Sequence, residues 1–253
     1  MTYFFTGSET ISILMEALLE ARNLSKTYGS TTAVDGVSLS VQKGALFGLL
    51  GPNGSGKTTM IKMLTGQVRP TGGSATVLGL DVEKDPITVR ERIGIIPEQE
   101  TPPSFLSAEE YFHFVGAVRG IPDVDEKADW WFDFLEFGDK RDVLCKDLSR
   151  GTRQKLMFSQ AFIHRPVLAL IDEPLINFDP IMQMKVKDFL QTYVTEGGTV
   201  FISTHILEIA EEICSDFAIL HKGHLLHTGA ISDIGDEHLP EFFLAKVRQD
   251  SHV

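Results

Sequence analysis

The stretch GPNGSGKT, Gly51 to Thr58, limits what this chain can become more than any other. It fits G-x-x-x-x-G-K-[ST], a pattern whose glycines let successive backbone N–H groups turn inward on phosphate oxygens. The apolar ALFGLL runs straight into it, and Lys57–Thr65 reads as a helix leaving it. A strand, a glycine turn and a helix start in that order predict an α/β fold with an anion cradle at the strand's carboxyl end. Gly51, Gly54 and Gly56 permit the backbone bend. Lys57 is placed to reach β- and γ-phosphates as a point charge, and Thr58 to offer its hydroxyl to Mg²⁺. Pro52, Asn53, Ser55 and Thr59 complete the set expected at the phosphates.

A partner for this loop lies far downstream. Val167–Ile171 is an unbroken apolar run, the mark of a strand buried on both faces, and it ends in Asp172 and Glu173. The carboxyl ends of parallel strands face the ligand crevice. Asp172 is therefore expected to hold Mg²⁺, usually through water, and Glu173 to orient or deprotonate an attacking water. Solvated acids at a strand end are common, so the pair gains its meaning from the glycine loop.

The rest of the chain alternates in character. ALLEARNL, VSLSV and ALFGLL read as strands separated by glycine turns. Residues 105–165 turn helical, opening on a capping box of Ser107 and Glu110. Strand–helix alternation then resumes, with Asp179-Pro180 as N-cap and first helical residue. This pattern predicts a mostly parallel sheet with an inserted helical subdomain. The expected divisions are an extension at 1–15, a main domain at 16–225 with its helical part at about 100–165, and a tail at 226–253 ending in the helix HLPEFFLAKV. Met15 is an alternative start.

Composition narrows the partners. A formal charge of −12 repels phosphodiester backbones, so nucleic acid is not an expected partner. Cys145 and Cys214 stand far apart, which predicts neither a disulfide framework nor a zinc site. No stretch reaches the ~18 apolar residues of a membrane helix. The run ISILMEALL is broken by Glu16 and has no basic residue ahead of it, unlike a signal peptide. Any membrane connection is expected through another polypeptide.

One stretch remains, LSRGTRQKL at 148–156. Ser149-Arg150-Gly151 reads as a turn opening a helix, where unpaired N–H groups suit an anion. The chain thus carries two phosphate cradles. The order of glycine loop, helical insertion, LSRGTRQKL, VLALIDEP, NFDP and STH resembles the nucleotide-binding subunit of an ABC transporter, over roughly residues 16–225. No guanine-reading NKxD accompanies it.

The resemblance implies the ABC ATPase fold, with an antiparallel N-terminal β part, and roles for matching residues. Tyr28 would stack on adenine; a turn tyrosine packed on the sheet is the other reading. His205 would act as the switch histidine at the γ-phosphate, and Asp179 as the D-loop aspartate at a dimer interface. Ser149, Arg150, Gly151 and Thr152 would form the signature, meeting the ATP of a second subunit in a homodimer or heterodimer. Two departures stand out. Arg150 and Thr152 replace the first Gly and the Gln of LSGGQ, and a basic residue at 150 is similar to subfamilies served by ABC-2-type membrane subunits. In IGIIPEQE the residue after the proline is Glu98, expected at the metal, with Gln99 next. The implied partner is a separate transmembrane permease, which would place the chain at the cytoplasmic face of the membrane. Adjacent Trp130 and Trp131 cannot both face inward on one helix, which leaves one to line a docking groove. A non-transport ABC ATPase or a nucleotide-sensing regulator is the alternative function.

Overall fold

The computed structural model describes residues 17–97 and 102–250. The extension 1–15 and the pair Glu98 and Gln99 lie outside the described residues. The chain begins with strands β1 (Ala17–Tyr28), β2 (Thr31–Gln42) and β3 (Leu46–Leu50), and helix α1 (Lys57–Leu64) follows the glycine loop. Next come β4 (Gly72–Val77), β5 (Leu80–Asp81), α2 (Pro86–Arg92) and β6 (Gly94–Ile96). Helices α3 (Ala108–Arg119), α4 (Val124–Phe134) and α5 (Arg150–Phe162) make the insertion. The last part holds β7 (Leu168–Asp172), α6 (Pro180–Thr195), β8 (Thr199–Thr204), α7 (Leu207–Ile213), β9 (Asp216–His221), β10 (His224–Ala230) and α8 (Leu239–Asp250).

Two sheets result. One is antiparallel, in the order β2-β1-β4-β5; the other runs β10-β9-β3-β8-β7-β6. In the second sheet every pairing is parallel except that of β10 with β9. Strands β3, β7 and β8 are buried along their whole length. Their apolar runs lack alternation because a separate core cluster packs on each face, with Leu46 and Ile171 in one and Leu49 and Leu170 in the other. The central trio β3-β8-β7 ends at one edge, and that shared edge positions the site.

The insertion packs around its own aromatics. Phe112, Phe132, Phe137 and Phe158 are fully buried, and Phe112 meets Phe132 edge-on at 5.1 Å. Trp131 is buried while its neighbour Trp130 is 51% exposed, the division that adjacency on a helix requires. Ser107 opens α3 as expected: its Oγ accepts from Glu110 N at 3.2 Å, and its own N–H donates to Glu110 Oε2 at 2.8 Å. Ser107→Ala should lower unfolding stability by about 1 kcal/mol, read from urea denaturation with an unchanged slope.

Three elements escape the sequence reading, the two-residue strand β5, helix α2 and strand β10. Helix α2 is short, with Val89 its buried residue, so it shows almost no periodicity. Strand β10 is half-exposed and crosses the boundary expected at 225, extending the sheet to Ala230. The expected closing helix is α8, which packs on α7 and β10 through Leu239 and Phe242.

Candidate functional site

The glycine loop hangs between β3 and α1. Gly54 and Gly56 have φ of +80° and +110°, which only glycine adopts without strain. At Gly56 an added Cβ would sit 2.4 Å from Ala33 O, and at Gly51 it would sit 2.2 Å from Leu220 O. The loop is also pinned from outside, because Gly223 N donates to Ser55 O at 2.9 Å. Ser55 Oγ is buried with no hydrogen-bond partner among the described residues. Lys57 is only 6% exposed and folds over the loop, its Nζ donating to Gly51 O at 2.7 Å and Pro52 O at 3.3 Å.

Beside β3 runs β8, and beyond it β7 brings the acids. Asp172 closes β7 almost wholly buried and accepts a hydrogen bond from Ser203 Oγ. Glu173 leaves the strand with φ of +48°, a left-handed conformation that costs a non-glycine residue roughly 1–3 kcal/mol. That turn aims its carboxylate back across the sheet edge. Glu173 Oε1 lies 2.8 Å from His205 Nδ1 and 3.5 Å from Lys57 Nζ. His205 follows the last residue of β8, so neighbouring strands deliver the base candidate, the histidine and the lysine to one point.

These groups line a crevice of about 610 Å³, together with Tyr28, Asn53, Gly54, Ser55, Gly56, Thr58 and Thr59. Tyr28 closes β1 and is 46% exposed, with Lys26 Nζ 5.0 Å from its ring centre. Thr58 and the buried Asp172 could hold a small hard cation. Two protein oxygens, rather than a full cage, suit Mg²⁺, which keeps waters and completes its shell on substrate phosphates.

The second cradle is built differently. Ser149 caps α5, its Oγ accepting from Thr152 N at 3.1 Å and lying 2.8 Å from Thr152 Oγ1. Arg150 is exposed and borders the crevice, whereas Ser149, Gly151 and Thr152 are not among its lining residues. Asp179 likewise stands apart and caps α6. Donation from Met182 N and Ile181 N holds its carboxyl below the usual range. Lys62, Ser203 and Gln154 were not foreseen from sequence. Ser203, a polar residue within the buried strand β8, carried a signal that could have marked it, whereas Gln154 stands among the polar residues of RGTRQKL and carried none.

A glycine loop on a parallel strand, with a pair of strand-end carboxylates two strands away and a histidine on the strand between, defines a P-loop nucleotide-binding ATPase. The family model described as ABC transporter matches residues 34–176. The chain belongs to the ABC transporter family, as one of its ATP-binding, ATPase subunits. It is 34% identical over 218 residues to the daunorubicin/doxorubicin resistance ATP-binding protein DrrA of Streptomyces peucetius, covering 85% of this chain and 66% of that protein. Against the bacitracin transport ATP-binding protein BcrA of Enterococcus faecalis it is 34% identical over 225 residues, 88% of this chain and 72% of that protein. A solved ATP-binding subunit of an ABC transporter superposes with a TM-score of 0.85 at 28% identity, covering 91% of this chain and 99% of that one. A dimeric ATP-binding cassette bound to ADP and Pi, at 21% identity and TM-score 0.78, shares the fold over 84% of this chain and 98% of that one.

Proposed function

We propose that this chain binds MgATP in the crevice, closes head to tail on a second ATPase subunit, and hydrolyses the nucleotide to drive a separate ABC-2-type membrane subunit. The observation that carries the reading is the meeting of Lys57, Glu173 and His205 at one sheet edge, with Glu173 Oε1 within 2.8 Å of His205 and 3.5 Å of Lys57. Bound Mg²⁺ would neutralise charge on the phosphates. Residues 51–59 wrap the phosphates in backbone N–H groups, and Lys57 exchanges its carbonyl contacts for them. Tyr28 stacks on the base. Thr58 and Asp172 would hold the metal, and the family resemblance adds Glu98 or Gln99 as a further candidate. Glu173 takes a proton from the attacking water, and His205 fixes both the carboxylate and the γ-phosphate edge.

That Ser149, Gly151 and Thr152 stand outside the crevice, with Arg150 alone of the four bordering it, supports a composite site. Ser149, Arg150, Gly151 and Thr152 meet the partner's γ-phosphate, and Asp179 lies on the same interface. Loss of that phosphate then removes the contacts that join the subunits. The helical subdomain offers a surface for the membrane subunit. Phe105, Phe114 and Trp130 are 75%, 51% and 51% exposed there, more apolar surface than a solvent-facing helix needs. Among the described residues no helix is long and apolar enough to cross a membrane, so the chain would reach the cytoplasmic face through that subunit. The names of relatives in drug resistance and bacitracin transport support an export system.

A complementation assay tests the composite site. Lys57→Ala disables the cradle and Ser149→Arg the signature, so each variant alone should be nearly inactive. An equal mixture should recover roughly a quarter of wild-type ATPase activity. Half the dimers are then mixed, and each mixed dimer holds one complete site of two. No recovery on mixing would point to a site completed within one chain.

A further inference from the structure

Gln154 is 2% exposed inside α5, just past the turn that Ser149 caps. One loop engages both its polar atoms. Its Nε2 donates to Pro174 O at 2.9 Å, and its Oε1 accepts from Asn177 Nδ2 at 3.2 Å. A buried amide holds such partners in place, because either one left unpaired would be costly.

The position of that grip matters. Pro174 directly follows Glu173, whose left-handed backbone persists only where its surroundings over-determine it. Glu173 N donates to Ser203 O at 3.1 Å, and Gln183 Nε2 donates to Leu175 O at 3.0 Å. Ser203 and Gln183 belong to β8 and α6. The Gln154 contact instead comes from α5, the helix that begins with the second cradle. The same faces touch at Gly151, where an added Cβ would lie 3.2 Å from Asn177 O.

We propose that Gln154 is a positioning residue that links the seating of this chain's Ser149–Gly151 on its partner's nucleotide to the aim of its own Glu173. The inference rests on the composite-site reading above. A phosphate gripped at the start of α5 shifts that helix, and the Gln154–Pro174 bond carries the shift to the residue beside Glu173. Each of the two sites is thereby tuned by occupancy of the other.

The test is steady-state ATPase activity against ATP concentration for wild type, Gln154→Leu and Gln154→Glu, with Glu173→Gln as control. Gln154→Leu keeps the volume and loses both hydrogen bonds. Its kcat should fall about tenfold or more while KM stays within about twofold, and its Hill coefficient should move toward one. Gln154→Glu can donate to Pro174 O only when protonated, and burial against a carbonyl raises its pKa. Its turnover relative to wild type should therefore climb as pH is lowered from about 8 to about 6.

Wild-type kcat and Hill coefficient in Gln154→Leu would overturn the proposal. So would a matched change in kcat and KM with no recovery of Gln154→Glu at low pH, since that pattern reports packing alone. Should Gln154→Leu fail to fold, the pH profile of Gln154→Glu decides by itself. Wild-type turnover by the Glu173→Gln control would instead remove the parent reading, and this one with it. Normal behaviour of Gln154→Leu beside an inactive control removes only the link.

Discussion

Glu173→Gln is expected to lower ATP turnover by about 10²–10⁴-fold, the range set by loss of a positioned general base. The glutamine keeps the size of the side chain, and its carbonyl oxygen can still face His205, which now lies 2.8 Å from Glu173 Oε1. The anion that sits 3.5 Å from Lys57 Nζ disappears, which frees that ammonium for phosphate. Nucleotide affinity should hold or rise, and the chain should sediment as a stable dimer with MgATP. Turnover within about twofold of wild type would remove Glu173 from the role of base.

Lys57→Ala should act on the other side of that split. The ammonium is nearly buried and already bound to Gly51 O and Pro52 O. It is therefore pre-positioned over the loop, and exchanging carbonyl dipoles for phosphate charge strengthens each contact. Removing a charge-assisted contact of about 1.5–3 kcal/mol should raise the dissociation constant for ATP by roughly 10- to 100-fold, measurable by calorimetry. An unchanged affinity would mean that the phosphates rest elsewhere. The two substitutions separate binding from chemistry at atoms only a few ångströms apart.

Much of this site was legible before any coordinates. The glycine loop and the acids after Val167–Ile171 announce themselves because phosphate and metal binding restrict residue type at fixed spacing. The caps at Ser107 and Asp179 were legible for a similar reason: each satisfies a helix end through local hydrogen bonds, while Ser149 read only as the opening of a helix suited to an anion. Contacts between distant segments left no such trace. Nothing in the sequence around Gln154 tells that its amide reaches Pro174, 20 residues away. Nor does HLLHTGA advertise an edge strand, since its exposure pattern is that of a loop. The positive φ of Glu173 is likewise hidden, because it reflects what surrounds the residue and not a preference of glutamate itself.

The glycine loop leans on neighbours that precede it and on others that follow it by more than 160 residues. Ala33 O blocks any side chain at Gly56, Leu220 O does the same at Gly51, and Gly223 holds Ser55. During synthesis, the cradle therefore stays without its backing until the β9–β10 turn has left the ribosome, long after residues 51–58 themselves have emerged. A nascent chain therefore lacks the neighbours that hold the loop in shape until Gly223 has emerged.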